Sequence, residues 1–463
     1  MRSDVCDLSA VEMARMIRTG QLSARECVEA HLARTAQVNP EVNAIITLTA
    51  EAASGAAAAA DERQARGEFL GPLHGLPVAH KDLQPTRGVR TTFGSRIFAN
   101  FVPSFDSLFV ERTRNAGAIS LGKTNTPEFG AGSQTFNEVF GVTRNPHDHA
   151  KTCGGSSGGS AVALACGMVA LADGSDLGGS LRNPASYCGV VGLRPSAGRV
   201  PSWPSVMPWS PLAVEGPMAR SVEDLALFLS ALAGPDPRAP LSIDVSGEQF
   251  AGSLNRDFTG ARIAWWKDLG GIPIDREVRR ISNASRRVFE SLGAITEEAE
   301  PDWEGFDRAF RILRFWMAGT RLTILPPERI SLLKDTIQWE IEQSRALTGA
   351  EVAWAHMKHG EIFERMRQFM DRFDFFVLPV SQIPPFDVTQ QWPTAIDGVR
   401  MDTYIDWMKS CYYITMTGCP AISVPFGRTD EGLPVGIQIV ARHRDELGLL
   451  RIARAFERAC PKV

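Results

Sequence analysis

The stretch Cys153-Gly154-Gly155-Ser156-Ser157-Gly158-Gly159-Ser160-Ala161-Val162-Ala163-Leu164-Ala165 decides how this chain is read. A glycine-serine loop runs into an apolar, alanine-rich segment, which predicts a loop closing onto a buried helix from Ser160 to Gly167. Met168 to Ala172 then predicts a short strand. Beyond it stands a second turn of the same make, Ser175-Asp176-Leu177-Gly178-Gly179-Ser180-Leu181-Arg182. Ser180 lies 24 positions after Ser156. Upstream, Val78-Ala79-His80 predicts a buried strand that ends at Lys81. No histidine occurs between Asp173 and Arg182, so histidine is not the obvious base for either serine.

Outward from this centre, strands and helices alternate. Leu8, Met13, Met16 and Ile17 recur at helical spacing, and Ser23-Ala24-Arg25-Glu26 is a capping box opening a second helix. Ala50 to Arg66 is alanine-rich, so residues 1–66 are expected to be a helical segment. Further strands are predicted at 118–122, 261–266, 373–379, 421–426 and 435–440, with helices at 221–233, 275–292 and 445–460. Residues 300–372 read as largely helical and aromatic. With no internal repeat and no long polar linker, residues 1–463 are expected to form one α/β domain whose catalytic core spans 67–463, with the sheet covered on both faces.

Composition narrows the function. Hydrophobic residues make up 44% of 463, enough to bury a large core, and the net charge of −4 offers no electrostatic case for nucleic acid or an anionic membrane. The longest apolar run, Ala161 to Ala172, is too short to span a bilayer, and no apolar leader follows Arg2. The eight cysteines include no CxxC pair and read as reduced, buried thiols of a cytoplasmic protein.

Acyl transfer needs a nucleophile, a base, and donors aimed at the developing oxyanion. Ser180 fits the nucleophile, because the amides of Leu177, Gly178, Gly179 and Ser180 can converge on one concavity. Ser156 fits a hydroxyl relay, since a serine both donates and accepts. Lys81 fits the base if burial keeps it neutral. Asp82 opposes that only if it points the same way, and strand neighbours point to opposite faces.

The Gly154–Ser160 loop, the Asp176–Arg182 turn and Lys81 together resemble the amidase signature family. Gly122-Lys123-Thr124-Asn125, Gly141 to Pro146 and Gly418 to Pro425 extend the likeness over nearly the whole chain. The resemblance implies a large mixed β-sheet sandwiched between helices, with the N-terminal helices packed outside. It implies hydrolysis of a small amide, with esters and carbamates as further substrates, through a Ser180 acyl-enzyme, and the aromatic 300–410 region points to an apolar or aryl group on that amide. Lys81 is then the base and Ser156 the bridging serine, with a cis peptide bond. Gly130, Ala131, Gly132 and Ser133 match a segment that touches substrate, and no cofactor or metal is expected. A monomer or homodimer is implied; the alternative is a glutamine-hydrolysing transamidase subunit that passes ammonia to a partner. Cys153 departs from the family's usual proline, and Leu177 and Ser175 are milder departures.

Other conspicuous residues have plainer readings. Ser157 and Ser160 read as capping or loop-stabilising hydroxyls, Asp176 and Arg182 as a structural clamp, and His80 as a packed histidine. His147-Asp148-His149 lacks the spacing of a metal site and reads as surface loop. Cys153 and Cys188 have no evident base nearby and read as structural. Trp203, Trp209, Trp316, Trp339 and Trp392 are candidates for an apolar pocket, although core packing is the commoner fate of such residues.

Overall fold

Eleven strands join into one mixed sheet: β1 (Ile45–Leu48), β2 (Pro77–Lys81), β3 (Ile119–Thr124), β4 (Leu171–Asp176), β5 (Val191–Arg194), β6 (Val214–Ala219), β7 (Arg262–Trp265), β8 (Ile295–Glu298), β9 (Phe375–Pro379), β10 (Ala421–Arg428) and β11 (Pro434–Ala441). Their spatial order is β1-β3-β2-β4-β6-β5-β10-β11-β9-β7-β8. β3, β2 and β4 are mutually parallel, as are β9, β7 and β8, while the strands between these groups pair antiparallel. The structure, a computed structural model, describes residues 4–323 and 325–460.

The sheet is covered on both faces, and the strand sequences show why. Side chains alternate across a strand. Ala79, Ala172 and Met218 enter one apolar cluster, shared with Val28 of α2 (Ala24–Val42), Ala57 of α3 (Ala50–Ala65) and Val162 of α4 (Gly158–Ala165). Their neighbours Val78, Leu171 and Ala219 enter the other, with Met13 of α1 (Ala10–Arg18), Leu225 of a helix at Val222–Leu232 and Leu449 of the last helix, Glu446–Ala459. The strands are therefore apolar at consecutive positions, as strands buried on both faces must be. The capping box at Ser23 and Glu26 forms as expected, fixing the start of α2.

Four strands differ from the reading of the sequence. β1 interrupts the expected helical segment 1–66, pairing antiparallel with β3 across a bulge. That approach depends on Gly122, where a Cβ would stand 1.9 Å from the carbonyl oxygen of Thr47. β5, β6 and β8 are short, or carry Gly216-Pro217, or expose their side chains, so they lack an apolar run. The strand expected at 168–172 begins instead at Leu171, because the chain turns at Gly167 after α4. The helix expected at 275–292 divides at Ser285.

Candidate active site

Three adjacent parallel strands, β3, β2 and β4, end on the same edge of the sheet. Ligand sites in such sheets lie beyond the carboxyl ends of the strands. β2 delivers Lys81 there, β4 delivers Asp176 and the turn to Ser180, and the chain leaving β3 delivers Gly130 to Ser133.

Lys81 is buried, and its Nζ lies 2.7 Å from Ser156 Oγ, 2.9 Å from Ser157 Oγ and 3.0 Å from Ser175 Oγ. Burial brings its pKa down to about 7, against the pull of Asp173, Asp176 and Glu215 toward the charged form. Three hydroxyls suit both protonation states: an ammonium donates to all three, while a neutral amine donates two protons and accepts one. His80 points the other way, to Asp173 Oδ2 at 2.7 Å, and Asp173 Oδ1 accepts from the Lys81 amide at 2.6 Å. The Asp82 carboxylate also turns aside, accepting from Thr92 N at 3.0 Å and Thr92 Oγ1 at 2.5 Å.

Ser156 follows a cis peptide bond at Gly155–Ser156 and is tied to the Ser180 turn on both sides. Gly155 N donates to Asn183 Oδ1 at 3.1 Å, and Ser157 N donates to the Ser180 carbonyl at 3.1 Å. Asp176 shapes the turn itself. Its carboxylate accepts from Gly179 N at 3.0 Å, Leu181 N at 3.1 Å, Arg182 Nε at 3.0 Å and Arg182 Nη2 at 2.8 Å, with Arg194 Nη1 at 3.3 Å. The two guanidiniums hold the Asp176 carboxyl well below the usual carboxylate range despite its burial. The turn passes Cys411 so closely that a Cβ at Gly179, where φ is +112°, would stand 2.6 Å from Cys411 Cβ. Ser180 then leads into α5 (Arg182–Cys188).

The four amides expected to converge do not behave alike. The Gly179 amide is taken by Asp176, and Gly179 does not line the cavity. The amides of Leu177, Gly178 and Ser180 have no hydrogen-bond partner among the described residues, and all three residues line it. Three amides of this turn are therefore unpartnered at the cavity, and the fourth is spent within the turn.

The cavity beside these groups has a volume of about 500 Å³, in the range of small-molecule sites. Ser156, Ser175, Ser180 and the whole segment Gly130, Ala131, Gly132 and Ser133 line it. A Cβ at Gly130 would stand 3.4 Å from Ser156 Oγ. Lys334 ties this segment from outside: its Nζ donates to the Ala131 carbonyl, and Ser133 Oγ contacts Met408 Sδ at 2.7 Å.

The aromatic wall is made by residues the sequence did not single out. Phe93, Phe98 and Phe129 line the cavity, with Phe93 and Phe129 stacked at 6.4 Å between centroids and Phe98 edge-on to both. Phe93 (φ 55°) and Phe129 (φ 50°) are left-handed, a strained conformation for bulky residues. Each precedes a left-handed glycine, and Phe129 N donates to the Phe93 carbonyl at 2.8 Å. The repeated Phe-Gly dipeptide was the available signal. None of the five tryptophans lines this cavity: Trp209 is 73% exposed, Trp316 and Trp339 pack on other rings, Trp203 packs on Phe105, and Trp392 borders a small neighbouring crevice.

Ser157, read as a capping hydroxyl, is a direct partner of Lys81 and makes no side-chain cap to α4. Ser160 instead meets Thr124 Oγ1 at 2.7 Å. Cys153 and Cys188 are buried, with both thiols pushed up in pKa by burial, Cys153 to about 12. His147 Nε2 lies 3.0 Å from the Cys188 carbonyl, and the described residues hold no group of three or more His, Cys, Asp or Glu side chains placed to bind a metal. Glu215, opposite Ser175 on the neighbouring strand, also lines the cavity; burial raises its pKa to about 7, and it accepts from Ser202 Oγ at 3.0 Å.

Known proteins share both sequence and fold. The amidase family model matches residues 26–450. An acylamidase of Rhodococcus erythropolis is 38% identical over 458 residues, 98% of this chain and 96% of that protein. A glutamyl-tRNA(Gln) amidotransferase subunit from Carboxydothermus hydrogenoformans is 35% identical over 97% of this chain and 96% of its own. The crystal structure of a bacterial aryl acylamidase of the amidase signature family superposes with a TM-score of 0.93 at 30% identity, over 99% of this chain and 98% of that one. Sequence, fold and the strand-end site agree: this chain belongs to the amidase family and is an amide-hydrolysing enzyme.

Proposed function

We propose that Ser180 is the nucleophile, Ser156 the proton relay and Lys81 the base in hydrolysis of a small apolar or aryl amide. The observation that carries this is the 2.7 Å contact of Lys81 Nζ with Ser156 Oγ, in a loop tethered to the Ser180 turn through Gly155 and Ser157. Neutral Lys81 takes the Ser156 proton while Ser156 takes that of Ser180, and Ser180 Oγ bonds to the amide carbonyl carbon. The amides of Leu177, Gly178 and Ser180 receive the oxyanion, each donor of this kind contributing about 3 kcal/mol to barrier lowering. The proton returns through Ser156 to the leaving nitrogen as the C–N bond breaks. Water then attacks the acyl-enzyme by the same route, releasing the acid and restoring Ser180.

The aryl preference is supported by the Phe93, Phe98 and Phe129 wall and by the names of the acylamidase relatives. Esters and carbamates fit the same chemistry. Likeness to transamidase subunits favours a second reading, ammonia release from glutamine, but the apolar wall suits an α-amino acid poorly. We take residues 1–463 to act as one catalytic domain, cytoplasmic, as a monomer or homodimer. All eight cysteines are free thiols, and no helix among the described residues is long and apolar enough to cross a membrane.

The test is a panel of anilides, primary amides, carbamates, esters and glutamine with the unsubstituted enzyme and Ser180→Ala. Anilide hydrolysis lost in Ser180→Ala is the expected result. Retained turnover removes Ser180 from its role, and ammonia release from glutamine alone favours the second reading.

A further inference from the structure

Five side chains able to carry charge line the cavity: Asp176, Glu215, Arg314, Arg321 and Glu340. Four of them have partners. Asp176 is held by Arg182 and Arg194, and Glu215 accepts from Ser202. Arg314 donates through Nε to Glu340 Oε1 at 2.5 Å and through Nη2 to Tyr404 OH at 2.9 Å. Arg321 is different. It is reachable by solvent and lines the cavity, yet it has no hydrogen bond or ion pair among the described residues. A guanidinium on the cavity face that is not committed to a protein partner is free to take an anion, and its planar fork matches a carboxylate in two-point contact.

Helix geometry places Arg321 on the same face as the residues that meet the Ser180 turn. Arg314, Met317, Ala318 and Arg321 all line the cavity from the helix Phe306–Leu322, at the spacing of one helical face. The start of this face is fixed against the Ser180 turn. A Cβ at Gly178 would stand 3.6 Å from Phe310 Cζ and 3.9 Å from Arg314 Nη1. Arg321 is seven residues past Arg314, two turns and about 10 Å along the axis. Between them the lining is apolar, with Met317 and Ala318 facing the phenylalanine wall's cavity.

We propose that Arg321 is a specificity residue that receives the anionic end of the substrate, a carboxylate carried on the far side of an aryl or similar apolar spacer from the scissile amide. The inference rests on the proposed amide hydrolysis at Ser180 and names the substrate class for that site.

Binding to the Ser180→Ala protein tests it apart from turnover. Calorimetry would compare 4-acetamidobenzoate with its neutral near-isostere, 4-methylacetanilide. The expected result is at least a tenfold tighter Kd for the carboxylate, collapsing to near equality when Arg321→Ala is added, with 4-methylacetanilide binding unchanged as the sign that the cavity is intact. Arg321→Lys should keep part of the preference. No preference in the starting protein, a preference that survives Arg321→Ala, or loss of both ligands in that variant overturns the proposal. In the parallel hydrolysis assay, a Ser180 enzyme that binds with the stated preference but cleaves neither compound sinks the mechanism and leaves the Arg321 assignment standing.

Discussion

Ser157 donates its backbone N–H to the carbonyl of Ser180 at 3.1 Å while its own hydroxyl, 2.9 Å away from Lys81 Nζ, accepts a hydrogen bond from the lysine. One residue thus holds the Ser180 turn and Lys81, the proposed nucleophile and base, at once. Replacing Ser157 with Ala keeps the amide and removes the hydroxyl. Loss of one hydrogen bond of about 1 to 1.5 kcal/mol corresponds to a fall in kcat of roughly tenfold, with KM little changed. Steady-state kinetics on one anilide measures this; an unchanged kcat would return Ser157 to the loop-stabilising role its sequence suggests.

Lys81→Ala removes the proposed base outright. Amide turnover should fall by about 10² to 10⁴, the usual range for a positioned acid-base group. An activated ester, whose leaving group needs no proton, should lose much less. Comparing an anilide with a nitrophenyl ester in the same variant decides it, because equal losses would deny Ser156 and Lys81 any part in protonating the leaving amine.

The pH profile follows from the direction of the Lys81 shift. Folding lowers its pKa from 10.5 to about 7, so the amine is neutral and active above that pH and protonated and inactive below. The logarithm of kcat/KM should therefore rise with pH through about 7 and level off. Between 7 and 10.5 the unfolded chain holds a proton that folded Lys81 lacks, so this group makes folding more favourable as pH climbs across that window. Glu215 titrates nearby, and its charge favours protonated Lys81. Glu215→Gln should leave the acidic limb in place and move it to lower pH; disappearance of the limb would assign it to Glu215 instead.

Asp176→Asn should destabilise the protein more than it alters chemistry directly. It leaves Arg182 and Arg194 buried without their counter-ion, and breaking a buried pair in this way costs about 3 to 5 kcal/mol. Because the folded pKa of Asp176 lies below its ordinary value, its contribution is present above the ordinary carboxylate range and lost as pH falls through and beneath it. Denaturant unfolding of both proteins at neutral and acid pH should show the gap narrowing in acid.

Phe129→Ala opens the aryl wall. A fully buried phenylalanine contact is worth about 1.5 to 3 kcal/mol, so KM for an anilide should rise by roughly ten- to a hundredfold while a short aliphatic amide is affected far less. Parallel losses on both substrates would mean that the left-handed turn, and not the ring, is what Phe129 supplies.

Much of this was legible in the residues. Lys81, Ser156 and Ser180 stand out only in combination, since either serine alone would pass for an ordinary turn residue, while the apolar runs of β2, β9, β10 and β11 announce strands buried on both faces. What escaped is what depends on pairing across the chain. β1 and β8 are short edge strands, and β6 carries a glycine and a proline, so sheet neighbours rather than local propensity make them strands. Ser157 looks like a helix cap until Lys81, 76 residues earlier, is seen to bond it. Gly179 looks like its neighbours until Asp176 is found holding its amide. Tryptophan drew attention by size, whereas the wall is built of phenylalanines from separate loops, 36 positions apart for Phe93 and Phe129.

The cavity's two halves come from different parts of the chain. The reacting groups arrive on strand ends and turns between Lys81 and Ser180, whereas Met207, Met317, Arg321 and Leu322 arrive from segments that hold none of them. Beyond the phenylalanine wall, the residues facing the substrate can therefore be varied at 204–208 and 317–322 without touching Lys81, Ser156 or Ser180. The proposed catalytic groups stay in place beneath an altered pocket, so the fold separates a fixed engine from an exchangeable intake.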